Sequence, residues 1–220
     1  MMKLILLGPP GAGKGTQCKR IIEKYGMDHL SSGDILRAER TENTELGQKA
    51  QSYMDSGQLV PDDIIIGMMI KAMTQASGGY VLDGFPRTTV QGEELDKALA
   101  AEGEKINAIV NLEVDDEMIM SRMTGRRSCP KCGAVYHIEN LKPRVEGVCD
   151  NGCGELVQRP DDTLEVVFNR LKVYHEQTSA VVGYYKDSGS LIININADQP
   201  IEEVTASIFS ELDKLNVQVG

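Results

Sequence analysis

No apolar run in this 220-residue chain approaches the ~20 residues that a membrane-spanning helix needs. The start, MMKLILL, looks superficially like a secretion signal. Its apolar run nevertheless ends after four residues, short of the roughly 7 to 15 that the core of such a signal requires. Positive charge is in deficit as well: 23 Lys and Arg face 33 Asp and Glu, a net charge of −10. Such a balance argues against nucleic acid or an anionic membrane as the main partner, so any anion site must be built locally. Internal repeats and low-complexity stretches are absent. Together these absences predict a soluble, cytoplasmic protein whose thiols stay reduced. The length suits one α/β core with small insertions, since domains usually hold ~100 to 200 residues.

What is there begins with nine residues, GPPGAGKGT from Gly8 to Thr16. They lie between an apolar run, Lys3 to Leu7, that reads as a buried strand, and a stretch from Lys14 to Lys24 that puts Cys18, Ile21 and Ile22 on one helical face. Glycines in such a turn permit positive φ and close backbone approach. Successive N–H groups and the helix N-terminus can then point at a phosphate, with Lys14 adding a mobile positive charge. Gly8, Gly13 and Lys14 satisfy most of the phosphate-loop pattern, but Gly15 follows the lysine and the hydroxyl arrives one residue later, at Thr16.

Further along, short apolar strands alternate with helical patterns, which predicts a doubly wound parallel sheet flanked by helices. The strands are expected at Lys3 to Leu7, His29 to Leu30, Tyr80 to Leu82, Ala108 to Leu112 and Leu191 to Ile195. Helices are expected at Ile64 to Ala76, Val90 to Ala101, Asp116 to Arg126, Leu164 to Tyr185 and Ile201 to Leu215. Two regions break the alternation and read as insertions. Residues 31 to 60 are helical without a strand signal, and residues 128 to 158 gain Cys, Gly and Pro.

The second insertion carries CPKCG at Cys129 to Gly133 and CDNGC at Cys149 to Cys153, with sixteen residues between the pairs. Paired thiolates on tight turns can complete a tetrahedral shell around Zn2+, and four protein ligands leave no open position, so the metal would be structural. Such an ion replaces the hydrophobic core that a segment of about 30 residues cannot build. Iron or cobalt would also suit the site. The wider C-x3-C spacing leaves room for Asp150 or His137 to compete for a ligand position. Cys18, the fifth cysteine, is expected in the core. DGFPRT, Asp83 to Thr88, follows an apolar strand, so Asp83 stands at a carboxyl end, where open α/β sheets bind ligands. A carboxylate there can hold Mg2+ or its waters, and Arg87 can grip a second phosphate.

Taken in order, GPPGAGKGT, SSGDILR, GQLVPD, DGFPRT, GRR, YH and RPDDT resemble the adenylate kinase family over essentially the whole chain, in its long form with a metal-binding lid. The family's phosphate loop ends in GKGT, which accounts for Gly15. The resemblance implies a P-loop NTPase-like α/β fold with a five-stranded parallel sheet. It divides the chain into a core (1–30, 61–122, 161–220), a nucleoside monophosphate (NMP) insertion (31–60) and a lid (123–160). It also implies reversible Mg2+-dependent phosphoryl transfer from ATP to AMP, giving two ADP, by a monomer.

On that resemblance the donor lies on Gly11, Ala12, Gly13, Lys14, Gly15 and Thr16, with Arg122, Arg126, Tyr136, His137 and Gln199 beside it. AMP meets Ser32 (where the family usually has threonine), Arg37, Gln58, Leu59, Val60, Gly84, Arg87, Gln91, Arg159 and Arg170. Lys14, Asp83, Arg87, Arg126, Arg159 and Arg170 are the implied catalytic set, and Asp161 and Asp162 would position Arg159 or hold the lid. Arg127 is expected to be merely solvated. A UMP or CMP kinase and a non-catalytic nucleotide sensor are the alternatives; GTP is an alternative donor.

Overall fold

The computed structural model describes residues 1–218. Its centre is a parallel sheet of five strands: β1 (Lys3–Leu7), β2 (Asp28–Ser31), β3 (Tyr80–Asp83), β4 (Ala108–Glu113) and β7 (Ile192–Asn196), in the order β2-β3-β1-β4-β7. The near-continuous apolar runs of the inner strands follow from burial on both faces. Along β1, Leu4 and Leu6 join Cys18 and Ile21 of α1 (Lys14–Tyr25) and Val204, Ile208 and Leu212 of α9 (Ile201–Gln218). Ile5 and Leu7 point the other way. There they meet Leu36 of α2 (Ser32–Thr41), Ala50 of α3 (Glu45–Ser56), Met69 of α4 (Asp62–Gln75), Leu95 of α5 (Thr89–Ala101) and Val181 of α8 (Ser179–Asp187). Two packed faces make the fold α/β with helices on both sides of the sheet.

Because all five strands run the same way, their carboxyl ends share one edge. Leu6 lies opposite Asp83 in the register of β1 with β3, which sets DGFPRT beside the loop that leaves β1. Strand β1 stands between β3 and β4, the point at which successive connections diverge to opposite sides and leave a crevice.

Residues 31–60 form the helical pair α2 and α3, except that Ser31 completes β2, so this region does contribute to a strand. The Ser31 hydroxyl accepts from the Asp34 N–H and starts α2, while the Thr44 hydroxyl accepts from Gly47 N–H and starts α3. Gly47 lies against the last turn of α2; a Cβ there would overlap the Glu39 carbonyl. Gly47→Ala should cost about 1–3 kcal/mol in a denaturant titration without changing which nucleotides bind.

Three helical expectations are corrected. Helix α6 (Asp116–Thr124) stops before Arg126, which belongs to the short strand β5 (Arg126–Ser128) paired antiparallel with β6 (Val135–His137). The stretch from Leu164 to Tyr185 is not one uniform helix. A wider five-residue turn, Tyr174–Thr178, separates α7 (Leu164–Val173) from α8, which continues to Asp187. Hydrophobic period cannot reveal such a turn, since it inserts a single residue's worth of rotation. Strand β7 starts at Ile192, one residue later than expected, and α4 starts at Asp62, two residues earlier. Among the described residues no helix is long and apolar enough to cross a membrane.

Candidate active site

The loop after β1 adopts the conformation that its glycines allow. Gly8, Gly11 and Gly13 have φ of 141°, 79° and 90°. A Cβ on Gly8 would stand 2.7 Å from the Leu112 carbonyl oxygen, and one on Gly11 2.7 Å from Met123, so neither position admits a side chain. Lys14 opens α1 and its ammonium donates to the carbonyls of Gly8 (2.7 Å) and Pro9 (2.8 Å). Burial lowers its pKa to about 8 against the pull of the Asp83 carboxylate, with Arg87 and Arg170 pushing the same way as burial.

Above this bed lies one continuous cleft of about 1130 Å3, and every residue expected to meet a nucleotide lines it. Its walls come from the loop, from α2 with the 57–60 turn, from the DGFPR turn, from β5 and β6, and from α7. Arginines 37, 87, 122, 126, 159 and 170, separated by up to 133 residues in sequence (170 − 37), share it. Burial lowers the pKa of Arg87. Burial, then the charges of Arg126 and Arg37, bring Arg159 to about 10. Burial likewise brings Arg170 to about 10, against Asp161 and with Arg126 and Arg87 adding to the fall. Guanidinium groups with such values remain charged at neutral pH. Their mutual repulsion would be relieved by a polyanion in the cleft.

Carboxylates hold Arg126 and Arg170 in place. Arg126 makes a two-pronged pair with Asp162, a carboxylate with no exposed surface. Arg170 pairs with Asp161 at 2.6 Å. The acidic pair therefore does not position Arg159, whose Nε donates instead to the Ser128 hydroxyl at 2.8 Å. Arg87 Nε donates to the Gly84 carbonyl at 2.8 Å, and the Ser32 hydroxyl donates to the same oxygen at 2.6 Å. Gln91 is buried; its Oε1 accepts the Arg87 N–H (2.7 Å) and its amide donates to Asp62 (2.7 Å), leaving one hydrogen and one lone pair free. Arg127 lies outside the cleft, yet it is half-buried and donates to the Thr124 and Arg126 carbonyls rather than being merely solvated.

His29 is the residue that sequence reasoning missed. Its Nε2 is 3.2 Å from Asp83 Oδ2, and both groups line the cleft. The β2–β3 register could have suggested it, but only once the order of the strands is known.

Tyr136 and His137 line the cleft, and their polar atoms are engaged within the protein. The Tyr136 hydroxyl accepts the Asp150 N–H at 2.9 Å and lies 3.7 Å from Cys149 Sγ. His137 Nδ1 accepts the N–H groups of Glu139 and Asn140, and its Nε2 faces the Ser121 carbonyl. Neither His137 nor Asp150 joins the cysteines, since the Asp150 carboxylate accepts from the Arg144 N–H.

The sulfurs of Cys129, Cys132, Cys149 and Cys153 all lie within 4.8 Å of one another. Each pair sits on a tight turn, closed by Gly133 N–H donating to the Cys129 carbonyl and Gly152 N–H to the Cys149 carbonyl. Both glycines have positive φ, 67° and 71°, and the extra residue of C-x3-C is absorbed within the second turn. The Ala134 N–H, aided by the Asn151 amide, holds the Cys132 thiol down to about 6, and hydrogen bonding to Cys132 pushes Cys153 up to about 12. Four sulfurs already gathered, one of them readily ionised, fit a tetrahedral metal such as zinc. Cys18 is fully buried in the core against β1, as expected.

Comparison with known proteins agrees with the geometry. A family model described as adenylate kinase matches residues 6–190. An adenylate kinase from Lachnospira eligens is 52% identical over 94% of this chain and 98% of its own length. One from Carboxydothermus hydrogenoformans is 50% identical over 97% of this chain and 100% of its own, and one from Methanothrix thermoacetophila 49% over 97% and 98%. Phosphate loop, arginine cluster and full-length similarity together place the chain in the adenylate kinase family.

Proposed function

We propose that this cleft carries out reversible transfer of the terminal phosphoryl group of ATP to AMP, giving two ADP, through Lys14, Asp83, Arg87, Arg126, Arg159 and Arg170. The observation that carries the reading is the meeting of six arginines and Lys14 in one cleft over a glycine-built phosphate bed. Phosphoryl transfer leaves little covalent work for the protein, so alignment and charge stabilisation supply most of the catalysis. No general base is needed. The polyphosphate of the donor would lie along the loop from Gly11 to Thr16 with Arg122, Tyr136, His137 and Gln199 on its side. Ser32, Arg37, Gly84, Gln91 and the backbone of 58–60 would receive AMP. Lys14, Arg126, Arg159 and Arg170 would then surround the group in flight, and Arg87 would hold the acceptor phosphate.

Mg2+ fits the hard oxygens of Asp83 and Thr16, and when bound it neutralises phosphate charge and polarises the transferring group. The four cysteines would hold a structural Zn2+ that stiffens the 123–160 segment as a lid, while residues 31–60 act as the acceptor-binding arm around the core. A covering segment matters because water competes with AMP as an acceptor. Action as a cytoplasmic monomer on small nucleotides, without nucleic acid or membrane, belongs to the same reading and is supported by the net charge of −10 and the motif order.

The test is ADP formation with AMP, CMP or UMP as acceptor and ATP or GTP as donor, alongside elemental analysis of the purified protein. AMP should exceed the pyrimidine nucleotides by at least about two orders of magnitude in kcat/KM, because unpaired buried polar groups penalise the wrong base. Equal rates with CMP or UMP would reassign the acceptor, and ATP binding without any ADP would indicate a sensor. The pH profile offers a second check. The kcat/KM for ATP should fall above pH ~8 as free-enzyme Lys14 loses its proton, while kcat holds to higher pH because bound phosphate favours the ammonium form. Lys14→Arg, which stays charged, should lack that limb.

A further inference from the structure

The cleft also contains a group of side chains that phosphoryl transfer does not use as a set. Cys18 of α1, His29 of β2 and Asp83 at the end of β3 each offer a ligand atom, and the three atoms lie within 4.8 Å of one another. His29 and Asp83 line the cleft; Cys18, with no exposed surface, stands behind them. We infer that Cys18, His29 and Asp83 form a second cation site, separate from the four-cysteine cluster, which takes a thiophilic divalent ion such as Zn2+ and thereby inhibits transfer.

Donor chemistry sets the selectivity. Sulfur and imidazole favour Zn2+ and its softer neighbours, whereas Mg2+ demands oxygen and keeps its waters, so millimolar Mg2+ would not fill this position. A thiolate and a carboxylate neutralise a dication, which offsets the proximity of Lys14 and Arg87; the thiol proton leaves to solvent as the metal–sulfur bond forms. Three protein ligands leave an open coordination position. Capture of the Asp83 carboxylate by such an ion would withdraw it from Mg-nucleotide, so more substrate would not relieve the inhibition. That consequence rests on the part assigned to Asp83 under the proposed function. Packing alone does not require sulfur at position 18, where a small aliphatic side chain would serve as well.

Holoenzyme with its lid metal in place would be titrated with buffered free Zn2+ at saturating Mg2+ and nucleotides, in wild type, Cys18→Ala and Cys18→Val. Both variants should keep basal activity, and half-inhibition should need at least about tenfold more Zn2+ than in wild type. Independently of activity, Co2+ added to the zinc-loaded protein should give a thiolate-to-cobalt absorption band and one extra bound ion per chain in wild type, neither being present in the variants. Equal inhibition of all three proteins with no cobalt band would overturn the site. A Cys18-dependent cobalt band without loss of activity would uphold the site and count against the role of Asp83 in transfer.

Discussion

Lys14→Met should lower kcat by about two to three orders of magnitude, since loss of one preorganised charged donor at developing charge typically costs about 3 to 4 kcal/mol. The effect should be larger than for an exposed lysine because Lys14 is set by the glycine-built loop and already sits near Asp83, Arg87 and Arg170, where water does not screen it. Its melting temperature should be unchanged or raised, because burial disfavours the ammonium in the free protein. Rate loss with intact folding, read by stopped assay and calorimetry, separates a transfer role from a structural one. Arg87→Lys should fall in between: it keeps the charge but loses the forked donor geometry and the Nε bond to the Gly84 carbonyl. If Lys14→Met retained more than about a tenth of wild-type kcat, the assignment of the phosphate bed would be wrong.

In the proposed function the four cysteines hold a structural metal; its removal is the second large effect, and it should fall on stability before chemistry. The buried hydrophobic cluster of the knuckle consists of Cys129, Tyr136 and Cys149, with a few partly buried neighbours, too small to serve as a core of its own. A metal held at about a thousandfold above its Kd contributes about 4 kcal/mol, which for a chain of this size corresponds to a melting temperature lower by about 8 to 16 °C on chelation. At 25 °C the loss of kcat should be no more than a few-fold, since none of the four cysteines lines the nucleotide cleft. Calorimetry and initial rates on the same chelated sample decide it. An unchanged melting temperature with abolished activity would mean that the cysteines serve catalysis instead.

Local pattern carried a large part of this protein. The alternation of apolar runs and helical periods announced the parallel sheet, and glycine spacing before Lys14 announced the phosphate bed, because both depend on residues a few positions apart. The two cysteine pairs were equally legible, since each needs only a tight turn. The wider turn at 174–178, the end of α6 before Arg126 and the β5–β6 ribbon were not legible: each is decided by packing between elements rather than by period. The partners of the acidic pair were also out of reach. Whether Asp161 and Asp162 face Arg159 or, as found, Arg170 and Arg126 depends on how the 159–163 turn meets β5 and α7.

The sequence by itself determined which chemistry is available: a glycine-rich loop able to cradle phosphate, thiols spaced to suit a metal, and enough arginine to neutralise polyphosphate charge. Tertiary structure alone decided that those arginines face one cleft rather than solvent, and that His29 and Cys18 stand beside Asp83. The reason is that strand order and the closure of distant segments fix long-range proximity, and no local spacing encodes either.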